Sequence, residues 1–502
     1  MTLLLGIDIG TSGSKGVLVR PGGELVAQAT RDHVTATPRP GWVEHDAHAV
    51  WWADFAALTG ELLAHAGGEE IAGVGVSGIG PCLLPADADD TPLRPAILYG
   101  VDTRAGRQID AQHARYGEET VLARCGSRLT SQAVGPKLAW VREEEPEVWA
   151  ATRRWYMATS YLVRRLTGAY VLDHHSASQS LPLYDPAAGG WIEDWCAEIA
   201  PGLEWPALLW PADVAGTVTP EAAEATGLRA GTPVVAGTVD AWAEATAAGV
   251  TGPGDLMLMY GSTMFLVNVV SAPAPTPRLW TTRGVFPGTS CLAGGMATSG
   301  AVTGWLRDLT GAAFETLVEE AAAAGPGAEG LVMLPYFAGE RTPLFDADAR
   351  GLVLGLTLRH GRGHLYRAAL EGTAFGVRHN LEAMAAAGGE LERLVAVGGG
   401  ARELWTRIVS DVTGRAQEIP RHTIGAAYGD AFLAALGTGL AAPGELPAWN
   451  PIESTVEPDP ATAERYDRLY GVYRDLYPAT REAAHALAAE QRRTAEQRLA
   501  AG

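Results

Sequence analysis

Apolar positions along the 502-residue chain switch between unbroken short runs and helical spacing. Residues 3–9 are apolar, 10–14 are rich in turn formers, 15–20 are again extended, and Pro21-Gly22-Gly23 leads into 24–30. This predicts three strands joined by tight turns. A helix is predicted over 49–65, with aromatic and aliphatic residues on one side, and a short buried strand over 71–77. The Gly73–Gly78 stretch, which looks like a nucleotide loop, reads better as that strand. Strands and helices then alternate, which favours an α/β class.

A second segment repeats the first. Residues 255–260, Gly261-Ser262-Thr263 and 264–270 echo 3–9, Gly10-Thr11-Ser12 and the strand that follows. Common hairpin turns produce the same look by chance. If it is a true repeat, two related domains meet near 240–250, and a cleft between them is a natural ligand site. Later segments predict helices over 314–324 and 364–387, and a strand over 394–397 running into Gly398-Gly399-Gly400. From about 461 onward, Ala, Glu and Arg at helical spacing predict a terminal helix packed on the surface.

Charge changes the picture. With 38 basic and 58 acidic residues the formal charge is −20, so no basic stripe is available for a nucleic acid. Four cysteines lie far apart without a CxxC pair, which argues against a disulfide framework or thiolate zinc site and fits a reducing compartment. The start lacks a signal-peptide pattern, and no run reaches the ~18 apolar residues of a membrane helix. The expectation is a cytoplasmic protein with neither nucleic-acid nor membrane partners. A homodimer is a candidate assembly.

Four segments could carry chemistry. In Gly6-Ile7-Asp8-Ile9-Gly10-Thr11-Ser12, a carboxylate near the end of a buried strand precedes a Gly/hydroxyl turn. Such a turn can bond phosphate oxygens while the acid holds hydrated magnesium. It is neither a Walker A loop nor a GxGxxG, and the plainer reading is a hairpin with Asp8 as a turn cap. Asp240 follows the strand 233–236 and could take a proton from a hydroxyl attacking phosphorus; the plainer reading is a helix N-cap. The Gly398–Gly400 run could let a ligand lie against bare backbone, or be a tight turn. Glu340, Arg341, Asp346 and Arg350 read as an ion-pair network pinning a domain interface more than as catalysts. His45-Asp46-Ala47-His48 lacks a third ligand group and reads as a solvated loop.

Taken in order, several motifs resemble the FGGY family of carbohydrate kinases over about residues 3–440. They are GIDIGTSGSKGVLV, PGWVEHDAHAVWW, GPKLAWVREEEPEVW, GTVDAWAEATAAGV, YGSTMFLV, FAGERTPLFDADARGLVLGLT and VGGGARELWTRIVSDVTGR. The resemblance implies an α/β chain with two actin/hexokinase/Hsp70-like domains, each on a ribonuclease-H-like core, closing on ATP and sugar. Residues 1–245 would form the sugar and magnesium side, 246–445 the adenosine side, and 446–502 a helical tail. It implies Asp240 as general base and Asp8 positioning Mg²⁺, through water. Gly10, Thr11 and Ser12 would form one phosphate loop and Gly261, Ser262 and Thr263 a second. Gly398, Gly399, Gly400 and Ala401 would line the adenosine pocket.

The implied acceptor is a small sugar or polyol. Typical xylulose kinases carry Gln-Met-His-Gly, and glycerol kinases Gln-Arg-Glu-Thr, where this chain has Ile79-Gly80-Pro81-Cys82. Both usually place Asn or Gln after the catalytic Asp; here the residue is Ala241. Gly80, Pro81, Tyr99, Asp102, Asp240 and Ala241 are the expected sugar contacts. Lost hydrogen-bonding partners shift specificity, because buried substrate hydroxyls must be paired. A ketopentose such as D-xylulose is the expected substrate, with another ketose, an alditol or a sugar acid as alternatives. A sugar- or nucleotide-binding protein without activity is the rival from another class. An Hsp70-like ATPase is disfavoured, since no peptide-binding domain follows residue 440.

Overall fold

The apolar run at the start forms strand β1 (Thr2–Ile9), which turns through Gly10–Ser12 into β2 (Gly13–Val19) and then β3 (Leu25–Asp32), all antiparallel. The computed structural model describes residues 2–400 and 403–501. β1 also pairs in parallel with β4 (Glu70–Gly78). Strands β5 (Val214–Thr217) and β6 (Pro233–Val235) extend the sheet to the order β5–β6–β4–β1–β2–β3, and β7 (Thr238–Val239) pairs with the end of β4. This sheet belongs to a compact unit made of Met1–Gly252, Ser271–Cys291 and Ile424–Pro451.

The two faces of β1 do different work, because side chains alternate along a strand. Leu3, Leu5, Ile7 and Ile9 are fully buried in one core with Trp51, Phe55, Leu58 and Leu62. The other face carries Leu4, Gly6 and Asp8. Gly6 is the register partner of Gly75, and Asp8 of Ser77. The helix Ala426–Gly437 lies on this glycine bed. A Cβ on Gly6 would sit 1.9 Å from the Ala427 carbonyl oxygen, so only glycine permits the approach. On its far side the same helix meets the helix Asp240–Ala247, with Gly429 closing against the Ala243 carbonyl oxygen. Backbone is thus packed on backbone on both sides, and the polar residues at the strand ends are brought under both helices.

The helix predicted over 49–65 begins as a wider π-helical turn at Ala47–Trp52, continuing as Ala53–Leu63. Asp46 accepts hydrogen bonds from the His48 and Ala49 backbone, while His45 is buried and accepts from Trp51 Nε1. That segment is therefore a helix cap and core rather than a solvated loop. All four cysteines are buried free thiols.

The second unit comprises Pro253–Val270, Leu292–Thr423 and Ile452–Gly502. Its hairpin β8 (Asp255–Tyr260) and β9 (Met264–Val270) turns through Gly261–Thr263, and β8 pairs in parallel with β10 (Arg393–Val397). β11 (Gln417–Pro420) and β12 (Ile452–Val456) continue the order β9–β8–β10–β11–β12. The internal echo is therefore structural. In each unit an antiparallel hairpin with a Gly/hydroxyl turn has its first strand paired in parallel with a later strand that ends in glycine (Gly78) or runs directly into it (Val397 to Gly398).

The terminal segment forms one helix, Ala463–Ala501. Asp346 pairs with Tyr477 and His485 on it, Asp348 with Arg492, and Arg350 with Gln491. The Asp346, Asp348 and Arg350 side chains thus find partners inside this unit, on the terminal helix. No helix among the described residues is long and apolar enough to cross a membrane.

Candidate active site

Asp8 stands at the end of β1, beside Ser77 on β4. Ser77 Oγ lies 3.0 Å from Asp8 Oδ1 and 2.6 Å from Asp430 Oδ2, the latter on the helix that rides the glycine bed. Asp240 opens its helix, where Oδ1 accepts the Ala241 backbone N–H at 2.7 Å. The helix N-cap position is occupied by Val239 instead. Oδ2 of Asp240 has no protein hydrogen-bond partner among the described residues, which leaves it available to a proton. Burial and then the charge of Asp8 push the Asp240 carboxyl well above the ordinary carboxylate range. Burial also raises Asp8, to about 6, against the Ser77 hydrogen bond and the Lys15 charge.

Three charged residues near this point, Asp430, Glu244 and Lys15, have no role in the sequence reading. Glu244 is one helical turn beyond Asp240, on the same face, and burial followed by the Asp8 charge raises it to about 7. Lys15 bears on both Asp8 and Glu244 while its ammonium donates to the Ile424 carbonyl at 2.7 Å. The only signal for Glu244 or Asp430 in the sequence is a lone acid within an Ala-rich helix.

The two hairpin turns have the shape of phosphate loops. Gly10 N–H donates to the Gly13 carbonyl, Thr11 Oγ1 lies 3.0 Å from the Tyr99 hydroxyl, and Ser12 is exposed. Behind the first turn, His33 Nε2 is 3.1 Å from the Gly10 carbonyl and its Nδ1 is 2.8 Å from Asp54. In the second turn Ser262 is exposed and Gly261 and Thr263 are half-buried. The Gly261 carbonyl accepts from Gly300 N–H and Ser299 Oγ, each at 3.0 Å.

The second unit holds a cavity of about 340 Å³, lined by Tyr260, Ser262, Phe314, Tyr366, Gly399, Gly400 and Trp405 among others. Gly398 has φ +93°, and a Cβ there would sit 2.4 Å from the Tyr260 carbonyl oxygen. Gly399 and Gly400 line this apolar pocket, which is of the size a nucleoside needs, while Gly398 packs on Tyr260 behind it. Ala401, expected to line it, lies outside the described residues.

The expected sugar contacts divide. Gly80 is half-buried against Val239, Pro81 is buried, and Ala241 and Tyr99 are half-buried. Asp102 is different: its carboxylate accepts from Arg104 and from the Val43 backbone N–H, and Arg104 is stacked on Trp42 and Trp140. With its lone pairs so committed, Asp102 is scaffold, which corrects its reading as a sugar contact. Cys82 is fully buried with the charges of Lys137, Asp240 and Asp102 all bearing on it, and desolvation raises its thiol to about 12. Lys137 is itself fully buried, its ammonium without a hydrogen-bond partner, and burial lowers it to about 8.

Hydrated magnesium needs only one or two protein carboxylates. Asp8 offers one such carboxylate at the entry to the Gly10–Ser12 turn. No group of three ligating side chains converges on one point among the described residues, as a fully protein-caged ion would require.

Comparison with known proteins gives the family. Residues 3–247 match the N-terminal domain of the FGGY family of carbohydrate kinases, and residues 256–438 its C-terminal domain. The chain is 30% identical to a xylulose kinase of Lactococcus lactis over 97% of its length and 99% of the relative's. It is 32% identical to a glycerol kinase of Gloeobacter violaceus, over 90% of the chain and 92% of the relative. A solved xylulose kinase structure from Rhodospirillum rubrum superposes with a TM-score of 0.90 at 35% identity, covering 96% of this chain and all of that one. The two-sheet α/β architecture is that of the actin/hexokinase-like kinases, and the chain belongs to the FGGY family of carbohydrate kinases.

Proposed function

We propose that this ATP-dependent sugar kinase phosphorylates a hydroxyl of a ketopentose such as D-xylulose, with Asp240 as general base and Mg²⁺ at Asp8. The observation that carries the reading is the free oxygen of Asp240 at a helix start, on a carboxyl whose affinity for a proton is raised. A base tuned upward accepts the hydroxyl proton more readily as the oxygen attacks phosphorus. The new bond joins the sugar oxygen to the γ-phosphorus, the bond from that phosphorus to the β-bridging oxygen breaks, and ADP leaves. Mg²⁺ held at Asp8 through water would supply positive charge to the phosphoryl oxygens. Backbone N–H groups and hydroxyls of Gly10–Ser12 and Gly261–Thr263 would orient the phosphates, and the Gly398–Gly400 pocket the nucleoside.

A different acceptor is the second reading: another ketose, an alditol or a sugar acid. It is favoured by Ala241 and the Gly80-Pro81-Cys82 turn, which offer few side-chain hydrogen bonds to a sugar. Buried thiols throughout fit a reducing, cytoplasmic setting. The test is coupled ADP release with ATP and Mg²⁺ across pentuloses, hexuloses, alditols and sugar acids, comparing wild type with Asp240→Asn. We expect sugar-dependent release with a phosphorylated product, falling about 10²–10⁴-fold in the variant. Unchanged activity in Asp240→Asn would remove the base assignment. A folded, ATP-binding protein silent on every acceptor would favour a non-catalytic binder.

A further inference from the structure

Ser77 Oγ is within hydrogen-bond distance of two carboxyl oxygens, Asp8 Oδ1 and Asp430 Oδ2, and is fully buried. A serine hydroxyl has one proton and donates once, while its oxygen can still accept. The second contact therefore needs a proton on a carboxyl. The two acids are not equivalent hosts for it. Asp8 is half-buried, and its register partner across the hairpin is the cation Lys15. Asp430 is wholly buried, and the groups that bear on it, Asp8 and Asp240, are carboxyls rather than cations. Its Oδ1 is buried with no hydrogen-bond partner, a costly place for an ionised carboxylate and a far cheaper one for a neutral acid.

We propose that Asp430 is a neutral carboxylic acid that donates to Ser77 Oγ, which in turn donates to Asp8 Oδ1, making Asp430 and Ser77 positioning residues for Asp8. The chain of bonds fixes which oxygen Asp8 turns toward the Gly10–Ser12 turn. The helix Ala426–Gly437 supplies the acid because Gly6 and Gly75 let it lie on the sheet at backbone contact. Around the relay stand Asp8 on β1, Asp240 on its helix, and Lys15 and Glu244 beside Asp8. The role in catalysis rests on the reading of Asp8 as the magnesium carboxylate; the protonation does not.

The two parts separate experimentally. Infrared difference spectra of wild type minus Asp430→Asn should show the carbonyl stretch of a protonated carboxyl, shifting in D₂O, and Ser77→Ala should move it. If only ionised-carboxylate bands change, the proposal falls. For the positioning role, Ser77→Ala and Asp430→Ala should weaken Mg²⁺ dependence of turnover and Mn²⁺ binding without turnover by about 10-fold or more. Asp430→Asn, which can still donate to Ser77, should recover most of that loss. A loss in Asp430→Asn equal to that in Asp430→Ala, with the fold intact, would mean a charge is required and would overturn the neutral acid. Unchanged metal dependence in both Ser77→Ala and Asp430→Ala overturns the positioning role. Asp8→Asn tells which premise failed: if it too leaves metal binding unchanged, the assignment of Asp8 to magnesium is what falls.

Discussion

A Cβ on Gly75 would lie 2.0 Å from the carbonyl oxygen of Asp430, and that contact sets the height of the 426–437 helix above the sheet. Gly75→Ala must push the helix away or break strand pairing. Overpacking at such a site costs on the order of 1–3 kcal/mol, and more when backbone is the obstacle. Gly60 is the contrast: it sits in the exposed middle of the helix Ala53–Leu63, where an added Cβ would meet nothing within 4 Å. Gly60→Ala should stabilise by about 0.5–1 kcal/mol. Thermal unfolding should move in opposite directions for the two, and kinase activity should fall only in Gly75→Ala.

Lys137 carries a different kind of cost. Burial lowers its ammonium from 10.5 to about 8. Between those values the unfolded chain binds more protons than the folded one, so stability rises with pH across that window. Lys137→Met should be more stable than wild type below about pH 8, by on the order of 3 kcal/mol, with the gap closing as pH approaches 10.5. Unfolding midpoints across alkaline pH check this. A constant gap would mean that the fold binds the Lys137 proton as tightly as the unfolded chain does, and so that burial does not weaken it.

Glu340 runs the other way. Burial raises its carboxyl from 4.5 to about 8, although the Ala297 and Arg341 backbone N–H groups donate to it. Here the folded state binds more protons between those values, so stability is full below about pH 4.5 and is lost as pH rises toward 8. Glu340→Gln keeps the acceptor oxygen and removes the titration. Its stability relative to wild type should therefore grow from pH 4.5 to 8, read as a widening difference in denaturant midpoint.

Phe314 tests the assignment of the apolar cavity in the second unit to the nucleoside. It is half-buried at the start of its helix and lines the cavity, so truncation removes contact area with little loss of core. Phe314→Ala should raise KM for ATP by about 5- to 150-fold, the roughly 1–3 kcal/mol of a lost base–aromatic contact, and leave KM for the sugar unchanged. Equal effects on both constants would move the nucleoside elsewhere.

Local pattern carried the strands, the two hairpin turns and most helices, because alternation and turn chemistry are properties of neighbours in sequence. The bounds of 255–260, 264–270 and 314–324 are those read from the residues. The ordered motifs likewise sufficed for the family, since Asp8, Asp240 and the glycine loops are each embedded in recognisable local surroundings. What remained hidden depends on residues hundreds of positions apart. Asp430 reads as one acid in an Ala-rich helix until Gly6 and Gly75, ordinary in their strands, admit that helix to backbone contact and set the acid over Ser77. The same distance concealed the return of 424–451 to the first unit. Asp102 was expected at the sugar because Asp102-Thr103-Arg104 resembles a family D-x-R beside the sugar pocket; only packing showed its carboxylate taken up by Arg104, which is held by Trp42 and Trp140. Sequence determined which groups this protein possesses and the local turns that present them. Tertiary structure decided which are buried, paired or left with a free oxygen, because desolvation and hydrogen bonding depend on what the chain brings against them from afar.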